Sequence, residues 1–220
     1  FGAFEKILPK EVIAAAGGIF PVHFVGKDEN LKQFAVHMLP HGGLGGMYNS
    51  DGKFPCAYPH NSLVTPSEII ESKCPVKVLK KEILKNSSGI GQFRGGPGQK
   101  IVFKNIGNDI IKLTIRPDMI KYPAQGLYGG GNGINGAVIL NGKRIYDFKP
   151  IDWQPQHELI LIVPSGGGYG NPKKRNNDQL LNDIINENDD IEHINHYYKK
   201  NFEKNDVEVI KKQKIKDLLN

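Results

Sequence analysis

Arg94 is the most suggestive single residue of the chain. It lies in the run from Asn86 to Gly98, Asn-Ser-Ser-Gly-Ile-Gly-Gln-Phe-Arg-Gly-Gly-Pro-Gly, where five glycines surround one aromatic ring and one permanent cation. A guanidinium in so glycine-rich a run could meet a carboxylate or phosphate through two parallel N–H bonds. It could equally tie the loop to an acidic neighbour or a carbonyl, and the sequence leaves both readings open. Arg116, at the end of an apolar stretch before Pro117-Asp118, offers the same two readings. Glu68 and Glu71 stand three residues apart, a spacing that places two carboxylates on one helical face for metal binding or acid–base work. Gly129 and Gly130, inside Tyr128-Gly-Gly-Gly-Asn-Gly133, could form an anion nest of backbone N–H groups; glycine-rich turns are the plainer explanation.

Other chemistries find less support. The third glycine of the dinucleotide fingerprint does not follow Gly89-Ile90-Gly91, and no Gly-Lys-Ser/Thr occurs, so no nucleotide site is established. His37 and His41 flank Pro40, which prevents the helix that would align two imidazoles four residues apart. They are read as exposed or structurally hydrogen-bonded, and no metal ligand is assigned. Ser87, Ser88 and Ser165 lie in loops without a recognisable partner histidine, so a nucleophilic triad is not indicated.

The elements that must position these residues are mostly strands. Apolar spacing from Ala3 to Ala16 predicts a helix broken at Pro9 and stopped by Gly17-Gly18. Leu31–Met38 and Val76–Leu84 predict strands. Ile101–Phe103 and Ile110–Ile115 predict two more, joined through Gly107-Asn108-Asp109. Thr65-Pro66-Ser67-Glu68 predicts a helix start, with Thr65 as N-cap and Glu68 as the reciprocal capping carboxylate. Asn141-Gly142 between Ala137–Leu140 and Lys143–Phe148 is a two-residue hairpin signal, and Glu158–Val163 closes the series as an apolar strand. Beyond Pro172 the chain has no glycine or proline, and apolar residues recur at helical intervals over Gln179–Ile185, Ile191–Phe202 and Val207–Leu219. The expectation is an α+β fold: a β-rich body with glycine-rich loops over residues 1–172, and a helical, Asn/Lys-rich C-terminal appendage over 173–220.

Charge and composition bound the partners. The net charge is +6, and residues 173–220 carry ten basic and ten acidic side chains, so the excess lies in the body. There the cations are scattered, without the basic stripe or module of a nucleic-acid binder, and no nucleic-acid partner is expected. No stretch approaches the roughly 20 apolar residues of a membrane span. The N-terminus has no signal-peptide pattern and no initiating Met, which suggests a processed chain or a piece of a longer one. Two cysteines, Cys56 and Cys74, without a CxxC pair suit a reduced, cytoplasmic protein.

Taken in order, these segments resemble the hydantoinase B/5-oxoprolinase family. The resemblance rests on Leu8-Pro9-x-x-Val12-x-Ala14-Ala15, Gly42-Gly43-Leu44-Gly45-Gly46, Asp51-Gly52, Thr65-Pro66-Ser67-Glu68-x-x-Glu71 and Pro75. It continues through Ser87-Ser88-Gly89 to Gly98, Gly126-Leu127-Tyr128-Gly129-Gly130, and Gly166-Gly167-Gly168-Tyr169-Gly170-Asn171-Pro172. Asn86 and Asn171 stand where the family usually has Asp. The resemblance implies the C-terminal portion of a B-type subunit of an ATP-dependent hydrolase that opens the C–N bond of a cyclic amide, or of a related ketone carboxylase. A non-catalytic piece that binds the A-type subunit is a further alternative. Its implied partners are an A-type ATPase subunit, which would bring ATP, and the N-terminal part of the B-type subunit, where a divalent metal would be held. In that setting Arg94 and the backbone amides of Gly95 and Gly96 would stabilise the charge that develops on an activated amide.

Overall fold

The computed structural model describes residues 4–56, 64–209 and 211, and among them nine strands alternate with turns, three α-helices, a 3-10 turn and a further helical stretch from residue 204. Strands β1 (Val22–Lys27), β2 (Gln33–Met38), β5 (Ile111–Ile115) and β8 (Ile151–Trp153) form an antiparallel sheet in the order β2-β1-β5-β8. Strands β3 (Val76–Ile83), β4 (Gln99–Asn105), β6 (Ala137–Leu140), β7 (Lys143–Ile145) and β9 (Glu158–Val163) form a second, in the order β3-β4-β9-β6-β7. Each sheet turns one apolar face inward, as the alternation of buried and open residues in β1 and β9 shows. The shared core includes Phe24, Leu113 and Trp153 from one sheet and Phe103, Leu159 and Leu161 from the other. Phe24 meets Phe103 edge-on with ring centroids 5.7 Å apart. Helix α1 (Ser67–Lys73) packs on β3 and buries Ile70. The architecture is α+β.

Three local expectations change. Ile101–Phe103 and Ile110–Ile115 lie in β4 and β5, but these belong to different sheets. The chain crosses between layers at Asn105, whose buried side chain donates to the carbonyls of Trp153 (3.0 Å) and Asp109 (3.2 Å) and accepts from the Gly107 N–H (3.0 Å). From Phe4 to Ala16 there are turns and then extended chain rather than a helix. Pro9 supplies no N–H, and the small residues Ala14 and Ala15 let the backbone lie directly against glycine segments, with Ala14 N–H donating to the Gly46 carbonyl (2.9 Å). Finally, α1 begins at Ser67 with Pro66 at the N-cap and no side-chain cap, so Thr65 and Glu68 form no capping box.

The glycine-rich segments form a layer of their own. Residues 42–46, 94–98 and 164–168 lie outside the two sheets and the helices, and each segment is hydrogen-bonded to several neighbours. Gly43 N–H bonds Pro164, Gly96 N–H bonds Leu44, Gly166 N–H bonds Gly96, Gly167 N–H bonds Ala15, and Gly168 N–H bonds Gly131. A sheet strand has chain neighbours on two sides and side chains on the others. Here chains approach on the sides where side chains would stand. A Cβ on Gly43 would lie 1.9 Å from the Gly96 carbonyl oxygen, and one on Gly168 would lie 1.9 Å from that of Ile90.

Beyond this layer come α2 (Asn177–Ile185) and α3 (Ile191–Tyr198), capped by the side chains of Asn176 and Asp190. Residues 204–209 are helical as well. The predicted helix over Val207–Leu219 otherwise falls largely outside the described residues. Leu180, Ile194 and Tyr198 bury their side chains together with Ile90 of the glycine loop, so that loop is the surface on which the two helices dock. The Gly91 N–H bonds the Tyr198 phenol, and burial raises the pKa of that phenol.

Candidate functional site

Arg94 emerges from the glycine layer toward α2 and enters a cluster of four charges. Its Nε donates to Asp183 Oδ1 at 2.8 Å, its Nη1 donates to the Gly95 carbonyl at 3.1 Å, and its backbone N–H donates to Asp51 Oδ1 at 2.9 Å. Behind it lies Arg175, whose side chain is 1% exposed. Arg175 places all five of its N–H groups. Two go to Asp51 Oδ1 and Oδ2 (2.7 Å each), two to Asp183 Oδ2 (2.7 and 3.2 Å), and one to the Gln92 carbonyl (3.1 Å). The two aspartates hold the Arg175 pKa above its ordinary value against the opposing effect of burial. Two guanidinium groups and two carboxylates sum to zero charge, which allows the cluster to be buried. The arrangement joins three distant pieces of chain: the Asp51-Gly52 turn, the glycine loop and α2.

The other predicted residues are placed as follows. Gly95 and Gly96 are buried in the glycine layer, and their amides donate to the carbonyls of Gly89 (2.8 Å) and Leu44 (2.7 Å). Both N–H groups are therefore spent inside the body. Gly129 and Gly130 form an outer turn; Gly129 is exposed with φ +88°, and Gly130 N–H donates to Leu127. The 166–168 segment gathers Gly95 and Gly130, since a Cβ on either would strike it. Glu68 and Arg116 lie elsewhere. Glu68 is exposed on α1 and Arg116 is exposed just past β5. Glu71 does not pair with Glu68. It takes Lys77 Nζ at 2.7 Å and the Val78 N–H at 2.9 Å, and the bond from Lys77 holds its carboxyl below the usual range.

Next to the turn of Gly129 and Gly130 is a group of tyrosines. Tyr169 lies 5.2 Å from Tyr128 and 6.4 Å from Tyr48 between ring centroids, and Lys10 Nζ sits 5.1 Å from the Tyr48 ring. The Tyr169 hydroxyl donates to the Pro9 carbonyl at 2.6 Å and the Tyr128 hydroxyl donates to the Glu5 carbonyl, so residues 5 and 9 are tied to the two phenols. Tyr48 and Tyr128 remain nearly half exposed. They form an aromatic, hydrogen-bonding surface beside the glycine layer. A separate groove of about 840 Å³ opens between β1, β2 and β5, lined by Val25, Leu31, Phe34 and Ile110 among others.

Asn86 and Asn171 both have structural partners. Asn86, at φ +59°, donates to Asp190 Oδ2 (2.6 Å) and accepts from the Asp190 N–H (2.9 Å). Asn171 accepts from the Lys173 N–H (3.0 Å) at the start of a single 3-10 turn over Pro172–Lys174. No group of three or more His, Cys, Asp or Glu side chains is placed to hold a metal ion among the described residues. Nor is any helix among them long and apolar enough to cross a membrane.

The sequence did not single out Arg175 or Asp183. Arg175 is the last of three consecutive cations, and nothing local distinguishes it from Lys173 and Lys174, which stay exposed. Its partners lie 124 and 8 residues away.

Comparison with known proteins agrees with the order of these segments. A family profile described as hydantoinase B/oxoprolinase matches residues 1–172. The putative B-type subunit of a D-/L-hydantoinase from Pseudomonas sp. strain NS671 is 28% identical over 194 residues, covering 83% of this chain and 32% of that protein. The ATP-dependent caprolactamase of Pseudomonas jessenii superposes with a TM-score of 0.77 at 21% identity, covering 92% of this chain and 38% of that one. Nucleotide-free acetone carboxylase superposes with a TM-score of 0.68 at 17% identity, covering 98% and 35%. These two likenesses are of fold, and the chain spans about a third of the length of each of the three proteins. With the glycine segments, the Asp51-Gly52 turn and the tyrosine-bearing closing loop all inside the matched region, the chain belongs to the hydantoinase B/oxoprolinase family.

Proposed function

We propose that this chain supplies the C-terminal portion of a B-type subunit of an ATP-dependent cyclic-amide hydrolase. Residues 1–172 would be the family domain and 173–220 a helical appendage. The observation that carries the reading is the family match across 1–172. In the proposed reaction an A-type ATPase subunit transfers a phosphoryl group from ATP to the amide oxygen. Water then adds to the amide carbon and the ring C–N bond breaks, which frees the amine and leaves an acyl phosphate; a second water converts that to carboxylate and free phosphate. The N-terminal portion of the B-type subunit would complete the site. A divalent metal would belong there too. The two free thiols suit a cytoplasmic setting.

Within this chain Arg94 is the proposed catalytic residue, with Gly129 and Gly130 as a substrate-facing turn and Glu68 and Arg116 as further candidates. Exposure supports the turn, at Gly129 in particular, because the amides of Gly95, Gly96 and Gly130 already donate to backbone carbonyls. Arg94 stands partly open, with its side chain 12% exposed. Its Nη2 has no hydrogen-bond partner among those described.

The decisive experiment mixes the chain with the remaining B-type portion and the A-type subunit and follows ATP consumption as cyclic amides are added. Consumption that needs both substrate and this chain is expected; tight association without turnover would instead assign it to assembly. Adding bicarbonate and a ketone, and looking for a carboxylated product, tests the carboxylase reading. Arg94 is tested by pairing R94A with D183N. If Arg94 acts on substrate, R94A abolishes turnover in the assembled complex while D183N, which leaves the guanidinium in place, retains it. Equal turnover per folded molecule in both variants would leave Arg94 as an anchor only.

A further inference from the structure

The outer face of the four-stranded sheet carries two imidazoles that nothing above employs. His23 on β1 and His37 on β2 are direct partners in the antiparallel ladder. Their ring centroids are 4.2 Å apart, and His37 Nδ1 lies 3.3 Å from His23 Nδ1 and 3.1 Å from His23 Nε2. Both side chains are exposed. The ladder fixes the two Cα positions, and β1 is held from its other side by β5, where Thr114 stands opposite His23. The separation of the rings is therefore set by the sheet and not by a flexible loop.

That separation fits a chelate. Metal–imidazole bonds of about 2.0–2.1 Å place two ligating nitrogens about 2.9 Å apart at a right angle and about 3.4 Å apart at the tetrahedral angle. The observed 3.1 and 3.3 Å fall between these limits. The rings are tilted 40° to one another, so ligation requires both solvent-exposed side chains to turn until one nitrogen of each faces a common point. Neither ladder partner of His23, His37 on β2 or Thr114 on β5, offers a carboxylate, so the hard oxygen ligands that calcium and magnesium require are lacking there.

We propose that His23 and His37 form a two-nitrogen chelate for a transition-metal dication, with water completing the shell. Binding strength should follow the usual series for nitrogen sites, Cu²⁺ above Ni²⁺ and Zn²⁺. Because β2 is an edge strand with β1 as its single neighbour, the ion would clip that edge to the sheet. The site is independent of the proposed amide hydrolysis and of Arg94.

The test uses the full-length protein, freed of metal with a chelator, titrated with Cu²⁺ and with Ni²⁺ by calorimetry near neutral pH. One equivalent should bind, and H23T or H37T should each weaken it by about tenfold or more. Threonine keeps β propensity at an exposed strand position, and far-UV circular dichroism checks that each variant folds. As a second readout, Ni²⁺ should raise the thermal midpoint of the wild type and not that of H37T, because a ligand bound only by the folded state stabilises it. Binding of equal strength in wild type and both variants, or no saturable binding in the wild type, would overturn the assignment.

Discussion

Replacing Arg175 by alanine should be among the most damaging single changes outside the sheet core. Arg175 is 1% exposed in its side chain and Asp183 5%, while Asp51 is 27% exposed. Removing the guanidinium takes away five hydrogen bonds. It also leaves two carboxylates to share the single charge of Arg94, which touches Asp183 closely and reaches Asp51 only at 4.0 Å. Stranding one partner of a buried pair costs about 3–5 kcal/mol, equivalent to roughly 6–20 °C in melting temperature for a domain of this size. The measurement is urea unfolding followed by two probes: fluorescence of the single, fully buried Trp153 for the sheets, and far-UV circular dichroism at 222 nm for the C-terminal helices. Both transitions should move, and the helical signal should be lost first if the helices detach. The sign of a second mutation is the sharper check. D183N in the R175A background removes a stranded charge, so it should recover part of the loss, whereas in the wild type D183N is destabilising. A loss under about 1 kcal/mol for R175A, or D183N worsening R175A as much as it worsens the wild type, would refute the reasoning.

Three further outcomes follow from the same geometry. Gly168→Ala, whose Cβ would meet the Ile90 carbonyl at 1.9 Å, should cost about 3 kcal/mol or more; Gly142→Ala, with open space but φ +77°, should cost only about 1–2 kcal/mol, and urea midpoints in the reverse order would refute the close-packing argument. At pH 8 an aromatic disulfide reagent should label Cys56 quickly and Cys74 only on unfolding, because burial pushes the Cys74 thiol up to about 11; two equally fast thiols would contradict this. Asn86→Asp sets a second acid against Asp190, whose carboxyl the Asn86 amide holds below its usual range. In the wild type that pairing adds stability at pH values above the ordinary carboxyl pKa, and the gain is lost as pH falls through the lowered one. The variant should therefore be weaker by about 1–3 kcal/mol at neutral pH, with the deficit shrinking on acidification; thermal melts between pH 3 and 7 measure it, and a pH-independent deficit would count against charge repulsion.

Much of the strand content was legible because its signals are local. Asn141 and Gly142 both take positive φ, 45° and 77°, as the hairpin they predicted requires. The alternating burial of β9 is visible directly in Glu-Leu-Ile-Leu-Ile-Val. Other elements were hidden for identifiable reasons. Strand β8 has only three residues, too few to show a period. Strand β1 alternates but has a glycine inside it, and without β1 the pairing of His23 with His37 could not be foreseen. The opening segment carries apolar residues at helical spacing, yet its packing is decided by the small residues that let it join the glycine layer. The charge cluster was out of reach altogether, since it assembles residues 43, 89 and 124 positions apart. Family resemblance located the glycine loop but carried no information about α2, which lies outside the matched residues.

The glycines themselves argue for construction before chemistry. A loop that cradles an anion must leave N–H groups unbonded and pointing outward. Along 89–98 the amides of Gly89, Gln92, Phe93, Gly95 and Gly96 each donate to another backbone carbonyl, and those of Arg94 and Gly98 donate to Asp51 and Ser87. The density of glycine is accounted for by backbones that approach where a methyl group would not fit. Such a layer is held by dense backbone hydrogen bonding, which suits it to fix what projects from it. Arg94 projects from one side and the tyrosine surface with the Gly129 turn adjoins it. The loop's contribution to any reaction is then the placement of these groups, with Asp51, Asp183 and Arg175 holding the guanidinium from behind. An activity lost on changing Arg94 consequently has two physical sources, a missing cation and a released loop, and only a variant that removes the support while keeping the cation separates them.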